Sequence, residues 1–258
     1  MRSLLLSSSV LSQTSVWDRL WLHEPSETRD VVLLDRERRN PRWTMIQQHL
    51  ESVFGTIKGL RTIELGSGRG DLSVLLAEQG AQVTLLDTSD RALDQAQRRF
   101  RRLGLQTTCV TGDLFDARAG GRGDFDVALS SGVIEHFQNE NRTRAVRAHA
   151  EVLRPGGVAV ISVPNAHCIP YRIWKLYLEL RGWWPYGVEI PYSRKEILLR
   201  ARAAGLVSLE TQCSGFWQSV GDHWGRNLLG RGPDWVGRRS VLDRLMGMSL
   251  ILTGRRGR

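Results

Sequence analysis

Apolar positions in this chain fall first at helical spacing and then in short strand-like runs. From Pro41 onward, Trp43, Ile46, Leu50, Val53 and Phe54 recur every three to four residues, which predicts an amphipathic helix closed by Gly55 and Gly59. A regular alternation follows. Arg61–Leu65 reads as a short buried strand, Asp71–Gln79 as a helix ended by Gly80, and Gln82–Asp87 as a second strand. Ser89–Leu103 is predicted helical, with Ala92, Leu93, Ala96 and Phe100 inward and Gly104 at its end. Leu105–Val110, Phe125–Ser131 and Val158–Val163 supply three more strands, with a helix around Glu140–Leu153 before the last of them. Ser193 and Glu196 form an S-x-x-E capping box that opens a helix to Ala204, where Gly205 closes it. Val207–Cys213 and Ser249–Thr253 read as two final strands. Strands alternating with helices of this length imply right-handed βαβ units, hence an α/β fold with a doubly wound, mostly parallel sheet and helices on both faces.

Three segments break the rhythm. Residues 1–40 are expected to be an irregular N-terminal cap, with Trp17 and Trp21, on a main domain spanning 41–258. Residues 164–192 hold Tyr171, Trp174, Tyr177, Trp183, Trp184, Tyr186 and Tyr192, and residues 216–245 hold Trp217, Trp224 and Trp235. Long insertions at strand ends of such folds serve as lids or binding loops, so an aromatic-rich cap over a ligand is expected; an aromatic cap that only packs on the sheet is the other reading.

Composition narrows the class. A chain of 258 residues with 41% hydrophobic and 24% charged residues can bury a core without disulfide or metal support. The net charge of +9 is carried almost wholly by arginine, since Lys58, Lys175 and Lys195 are the only lysines. That balance has two readings: an anionic partner such as nucleic acid, or the arginine usage of a GC-rich genome. Cys109, Cys168 and Cys213 form no C-x-x-C pair, which suits a reducing compartment. The Leu4–Leu6 run is too short and serine-broken for a signal peptide, and no stretch reaches the ~20 apolar residues of a membrane span, so a cytoplasmic protein is expected.

The chemistry concentrates where strands end. Thr62-Ile-Glu-Leu-Gly66-Ser-Gly68-Arg-Gly70-Asp runs a buried strand into alternate glycines and then into a helix, so that backbone N–H groups can approach a ligand closely. The spacing is G-x-G-x-G rather than the dinucleotide G-x-G-x-x-G, and no Gly-Lys-Ser/Thr follows as in a phosphate loop. Val83-Thr-Leu-Leu-Asp87 ends the next strand on a carboxylate able to accept hydrogen bonds from both ribose hydroxyls. With Ser89 and Asp90 available to cap the following helix, Asp87 is not needed for that role.

These motifs resemble those of the class I, Rossmann-like S-adenosylmethionine (SAM) dependent methyltransferases, particularly the small-molecule branch that includes quinone-biosynthesis and natural-product methyltransferases. The likeness runs from Glu64 to about Gly205. It implies SAM as cofactor, S-adenosylhomocysteine as product, and a seven-stranded sheet whose last strand is antiparallel. It implies that Glu64, Gly66, Ser67, Gly68 and Gly70 surround the methionine part of SAM, and that Asp87 holds the ribose with Thr88 beside it. It places Asp113 and Leu114 at the adenine, and Ser130 and Ser131 at the methionine ammonium, largely through backbone carbonyls. Leu153-Arg-Pro-Gly-Gly157 resembles the family's turn into strand five.

Downstream, Val133-Ile-Glu135-His136-Phe resembles the family's acidic-His segment at the mouth of the SAM pocket. A histidine there can take a proton from a hydroxyl acceptor, with Glu135 as its partner, or can simply pack in the pocket wall. His167 and His223 lie in the insertions as other candidate bases; His23, His49 and His149 have no partner spacing, and no pattern of residues suggests a metal. The leading reading is methyl transfer to a small or medium-sized acceptor, most often on oxygen. The alternatives are an RNA or protein methyltransferase, which the basic charge favours, and a non-catalytic SAM-binding protein. Against nucleobase amino-methylation, strand four ends in Ser130-Ser-Gly-Val, without the Asn/Asp-Pro-Pro-aromatic motif.

Overall fold

The computed structural model describes residues 16–17, 19–116, 124–221 and 240–257; the leucine run at the start of the chain, His223, Trp224 and Trp235 lie outside the described residues. In order, the main elements are α1 (Glu27–Arg38), α2 (Pro41–Phe54), β1 (Arg61–Leu65), α3 (Asp71–Glu78), β2 (Gln82–Asp87), α4 (Asp90–Arg102), β3 (Thr108–Thr111) and β4 (Phe125–Ser131). Then come α5 (Glu140–Val152), β5 (Leu153–Pro164), α6 (Ile169–Leu180), α7 (Arg194–Ala203), β6 (Leu206–Ser214), α8 (Phe216–Val220), α9 (Asp243–Met246) and β7 (Ser249–Arg256). The strands form one seven-stranded sheet in the order β3-β2-β1-β4-β5-β7-β6. β1 through β5 pair in parallel, and β7 runs antiparallel between β5 and β6. The order reverses beside β1, and ligands of open α/β sheets sit at the carboxyl ends of the strands at such a point.

Period-two alternation divides the buried side chains between two layers. Ala159, Ile161 and Val163 of β5 join Ile63, Leu65, Ala145, Val146 and Ile197 on one side of the sheet. Val158 and Val160 join Trp43, Ile46, Leu50, Leu72, Leu75 and Phe100 on the other. Each fully buried leucine or isoleucine contributes roughly 1.5–3 kcal/mol, so these two layers dominate the fold's stability.

Four local outcomes differ from the sequence reading. Residues 27–38, expected to be irregular, form α1, capped by Ser26. The helix docks through charge: its buried Asp30 meets Arg69 at 3.0 Å and Arg99 at 3.1 Å, and also pairs with Arg102. β3 begins at Thr108 rather than Leu105, because the Leu105 N–H is spent on the Phe100 carbonyl at 2.9 Å, in the turn that Gly104 makes at the end of α4. β5 starts at Leu153, which pairs with Phe125 across an irregularity, so the expected turn is part of the strand. Glu196 does not complete the capping box. Its N–H donates to Ser193 Oγ at 3.1 Å, but its carboxylate pairs with Arg142 and Arg200, each at 2.9 Å.

Candidate active site

The glycine loop between β1 and α3 forms a cradle. Gly66 has φ +66° and Gly68 φ +51°; a Cβ on Gly66 would lie 2.8 Å from Val133, and one on Gly68 2.7 Å from Trp21. Any side chain there would be strained and would collide. The loop is tied to β2, with the Gly66 and Ser67 N–H groups donating to the Leu86 carbonyl at 2.8 and 3.1 Å. Asp87 fastens the same loop: its two oxygens accept from the N–H of Gly68 at 2.7 Å and of Ser89 at 2.9 Å. Ser89 Oγ caps α4, as the sequence left it free to do.

A cavity of about 1040 Å³ opens above this cradle. Its walls include Glu64, Gly66, Ser67, Gly68, Asp87, Thr88, Asp113, Leu114, Ser131 and His136, bringing most of the expected site residues together. Gly70 stands behind the wall as the N-cap of α3, with φ +68°. Asp113 also holds its own turn, accepting from the Phe115 N–H at 2.7 Å. Ser130 is not on the wall: its hydroxyl points to His149 Nε2 at 2.8 Å. His149 gives its other ring nitrogen to the Ala145 carbonyl at 2.9 Å, and burial lowers its pKa to about 4, so the ring is neutral and accepts from Ser130.

Several cavity residues carried no readable sequence signal. Arg42, near the start of α2, places Nη1 2.6 Å from Ser131 Oγ and is held by Glu37. Trp21 lies on Gly68, and Trp17 meets the His136 ring edge-on at 4.8 Å. One arginine among so many, and two tryptophans in a segment without periodicity, do not stand out. Among the described residues, the aromatic residues of 164–192 do not line this cavity; from that segment Val188 does.

The electrostatics are set by burial. Glu64, next to last in β1, has Oε2 buried and without a hydrogen bond. Desolvation pushes its carboxyl up to about 8, with Asp71 adding to the rise while Ser73 and Arg42 offset part of it. Glu135 is likewise pushed up to about 8 by burial, and Glu189 to about 7. Donor atoms of Glu135, His136 and Glu189 lie within 4.8 Å of one another. His136 Nδ1 sits 2.7 Å from the Val188 carbonyl, so Nδ1 carries the hydrogen, and burial lowers the ring's pKa. A neutral imidazole thus faces the cavity, with Glu135 behind the wall rather than on it.

Comparison with known proteins agrees with this geometry. Residues 63–157 match a family described as a methyltransferase domain. An Azoarcus ubiquinone biosynthesis O-methyltransferase is 30% identical over 159 residues, covering 59% of this chain and 67% of that protein. The chain belongs to the class I SAM-dependent methyltransferases. The methyltransferase of the same name from Shewanella halifaxensis is 31% identical over 123 residues, 48% of this chain and 51% of that one. The chain therefore spans about half the length of the first curated relatives it matches. Among solved structures, the magnesium protoporphyrin IX methyltransferase of Synechocystis with bound S-adenosylhomocysteine superposes over 100% of both chains, with TM-score 0.61 and 16% identity. The phosphoethanolamine N-methyltransferase 2 of Haemonchus contortus covers 84% of this chain and 53% of its own, with TM-score 0.60 and 16% identity. These likenesses establish the methyltransferase fold, with β7 inserted antiparallel as expected.

The family's cofactor is SAM, and the residues present fit it. A cradle that admits no Cβ suits close backbone approach, and a buried Glu64 oxygen without a hydrogen bond suits a cationic ligand end.

Proposed function

We propose that this protein transfers a methyl group from SAM to an oxygen atom of a small or medium-sized acceptor. The observation that carries the reading is a single cavity holding both the Gly66–Asp87 cradle and the neutral His136 ring. When bound, SAM supplies an electrophilic methyl group on a sulfonium. Asp87, fixed at the tip of β2 by the N–H groups of Gly68 and Ser89, presents a carboxylate that can accept from ribose hydroxyls. Asp113 and Leu114 suit an adenine, one by hydrogen bonding and the other as an apolar floor. Arg42 is placed to hold a carboxylate, and Glu64 with the Ser131 end of β4 an ammonium. His136 accepts the proton of the acceptor hydroxyl, its Nδ1–H bond to Val188 fixing the ring. Alignment of the reacting atoms at ~3–3.5 Å contributes ~7–11 kcal/mol, and the base a further ~10²–10⁴-fold.

The curated relatives named as ubiquinone biosynthesis O-methyltransferases support oxygen as the acceptor atom. An RNA acceptor is the second reading, favoured by the net charge of +9. Six arginines are paired internally, in Arg38–Glu78, Arg42–Glu37, Arg69–Asp30, Arg98–Glu24, Arg142–Glu196 and Arg154–Asp126, and these pairs leave that excess unchanged. Incubation with methyl-labelled SAM and a panel of phenols, catechols, amines, thiols and RNA tests the reading. Label in an O-methyl ether is expected. Label confined to RNA or protein would overturn it.

A further inference from the structure

One helical turn ahead of α1 touches both ends of the large cavity. Trp17 and Trp21 stand four residues apart, with the Trp21 N–H donating to the Trp17 carbonyl at 3.2 Å, so their indoles leave the same face of the turn. Both line the cavity. At one end the Trp21 ring lies on the glycine loop, where a Cβ on Gly68 would come within 2.7 Å of it. At the other the Trp17 and His136 rings meet edge-on, their planes at 83°. The turn is anchored on both sides. The Trp21 carbonyl accepts from Gln95 Nε2 at 2.9 Å, and Glu24 pairs with Arg98 at 2.8 Å, both partners on α4. Toward the other side, a Cβ on Gly187 would lie 3.8 Å from Val16 Cγ2, beside the Val188 carbonyl that holds His136.

We propose that these two tryptophans complete the active site with separate tasks, Trp21 holding the cofactor loop in its binding shape and Trp17 positioning the acceptor against His136. Glycine loops lose much conformational freedom on ordering, so the contacts that fix them carry weight. Gly68 is fixed twice, by its N–H bond to Asp87 and by the Trp21 ring on its other side. Removing the indole frees the residue that ties the cradle to the carboxylate offered to the ribose. Trp17 acts at the other end. With Val133, Phe137 and Val188 it makes an apolar wall around the His136 ring. An acceptor hydroxyl that reaches the imidazole brings its carbon skeleton against this wall, and water is kept off the ring.

The charged groups facing His136 come from elsewhere. Glu135 adjoins it, Glu189 follows Val188, and Lys175 of α6 acts on the ring by its charge. Trp17 brings no charge, so its effect on the ring is exclusion of solvent, which disfavours the imidazolium. Loss of the indole therefore moves the His136 titration upward, toward the ordinary value. The task given to Trp17 rests on the methyl transfer proposed above, whereas that of Trp21 rests on SAM binding alone.

Calorimetry with SAM, NMR titration of the His136 ring and steady-state kinetics, all on the full chain, test the division of tasks. Trp21→Ala should weaken SAM binding at least tenfold and leave the His136 titration as in the wild type. Trp17→Ala should keep SAM affinity within threefold, raise the His136 titration toward 6.5 and lower kcat/KM for the acceptor at least tenfold. The acid limb of its activity profile should rise with the titration. Trp17→Phe, which keeps an aromatic wall, should recover most of both losses. SAM affinity lost alike in Trp17→Ala and Trp21→Ala would overturn the inference, because the segment would then act only as a structural unit. So would two alanine variants that bind SAM and titrate at His136 as the wild type does. A raised His136 titration in Trp17→Ala, with a wild type that methylates nothing, would support the contact and count against methyl transfer instead.

Discussion

Glu64 and Asp87 lie near the carboxyl ends of neighbouring strands but stand in different surroundings. Asp87 is supplied with two backbone donors, whereas Glu64 is buried with an oxygen left over and its carboxyl is pushed up to about 8. A cationic ligand end favours the ionised form of Glu64, so binding of SAM near pH 7 should expel a proton, and affinity should rise with pH up to about 8. Calorimetry in buffers of different ionisation enthalpy should show release of up to about one proton for the wild type and none for Glu64→Gln. Equal release by both would remove Glu64 from the ammonium. For His136, whose pKa is lowered, the neutral form persists at neutral pH, and activity should fall only below the ordinary histidine value of 6.5. His136→Ala should lower kcat by ~10²–10⁴-fold. Its affinity for SAM should stay within about threefold of wild type, a shift of ~0.7 kcal/mol. A variant with unchanged kcat at saturating acceptor would leave His136 as wall only.

At the scale of elements, α1 shows what hydrophobic periodicity misses. Val31 and Val32 point outward and few apolar side chains are buried, but Asp30, at 4% exposure, joins Arg69, Arg99 and Arg102. Stranding one partner of such a buried cluster costs roughly 3–5 kcal/mol, so Asp30→Asn should lower urea-unfolding stability by about that amount. A loss under about 1 kcal/mol would mark the cluster as surface-like. The strands from β1 to β7 were legible because each is a short apolar run bounded by glycine or a polar turn, and Gly66, Gly68 and Asp87 because their spacing is tied to a strand end. Arg42, Trp17, Trp21 and Glu189 reach the site only through tertiary packing, which no local pattern encodes. Ser130 shows the converse. The pattern places it at the end of β4, and the pleat turns its side chain toward His149.

At the scale of the whole molecule, three carboxyls among the described residues are raised by burial, Glu64 and Glu135 to about 8 and Glu189 to about 7, against an ordinary 4.5. The folded state binds more protons than the unfolded chain across that window, so their contribution to stability is complete below 4.5 and is lost as pH rises to about 8. His149 acts on the other side. Its pKa, lowered to about 4, makes its contribution complete above 6.5 and lost as pH falls toward 4. Urea unfolding between pH 5 and 8 should show stability declining with pH, and Glu135→Gln should flatten the slope. An unchanged slope would mean that Glu135 is solvated or paired in solution.

The most direct test is calorimetric titration of SAM and S-adenosylhomocysteine into the wild type and Asp87→Ala. Micromolar binding that weakens by at least about tenfold in the variant, ~1.4 kcal/mol or more, is the predicted result. Well-folded wild-type protein that binds neither ligand, or an Asp87→Ala variant that binds both as tightly, would contradict the assignment of the Gly66–Asp87 cradle to the cofactor.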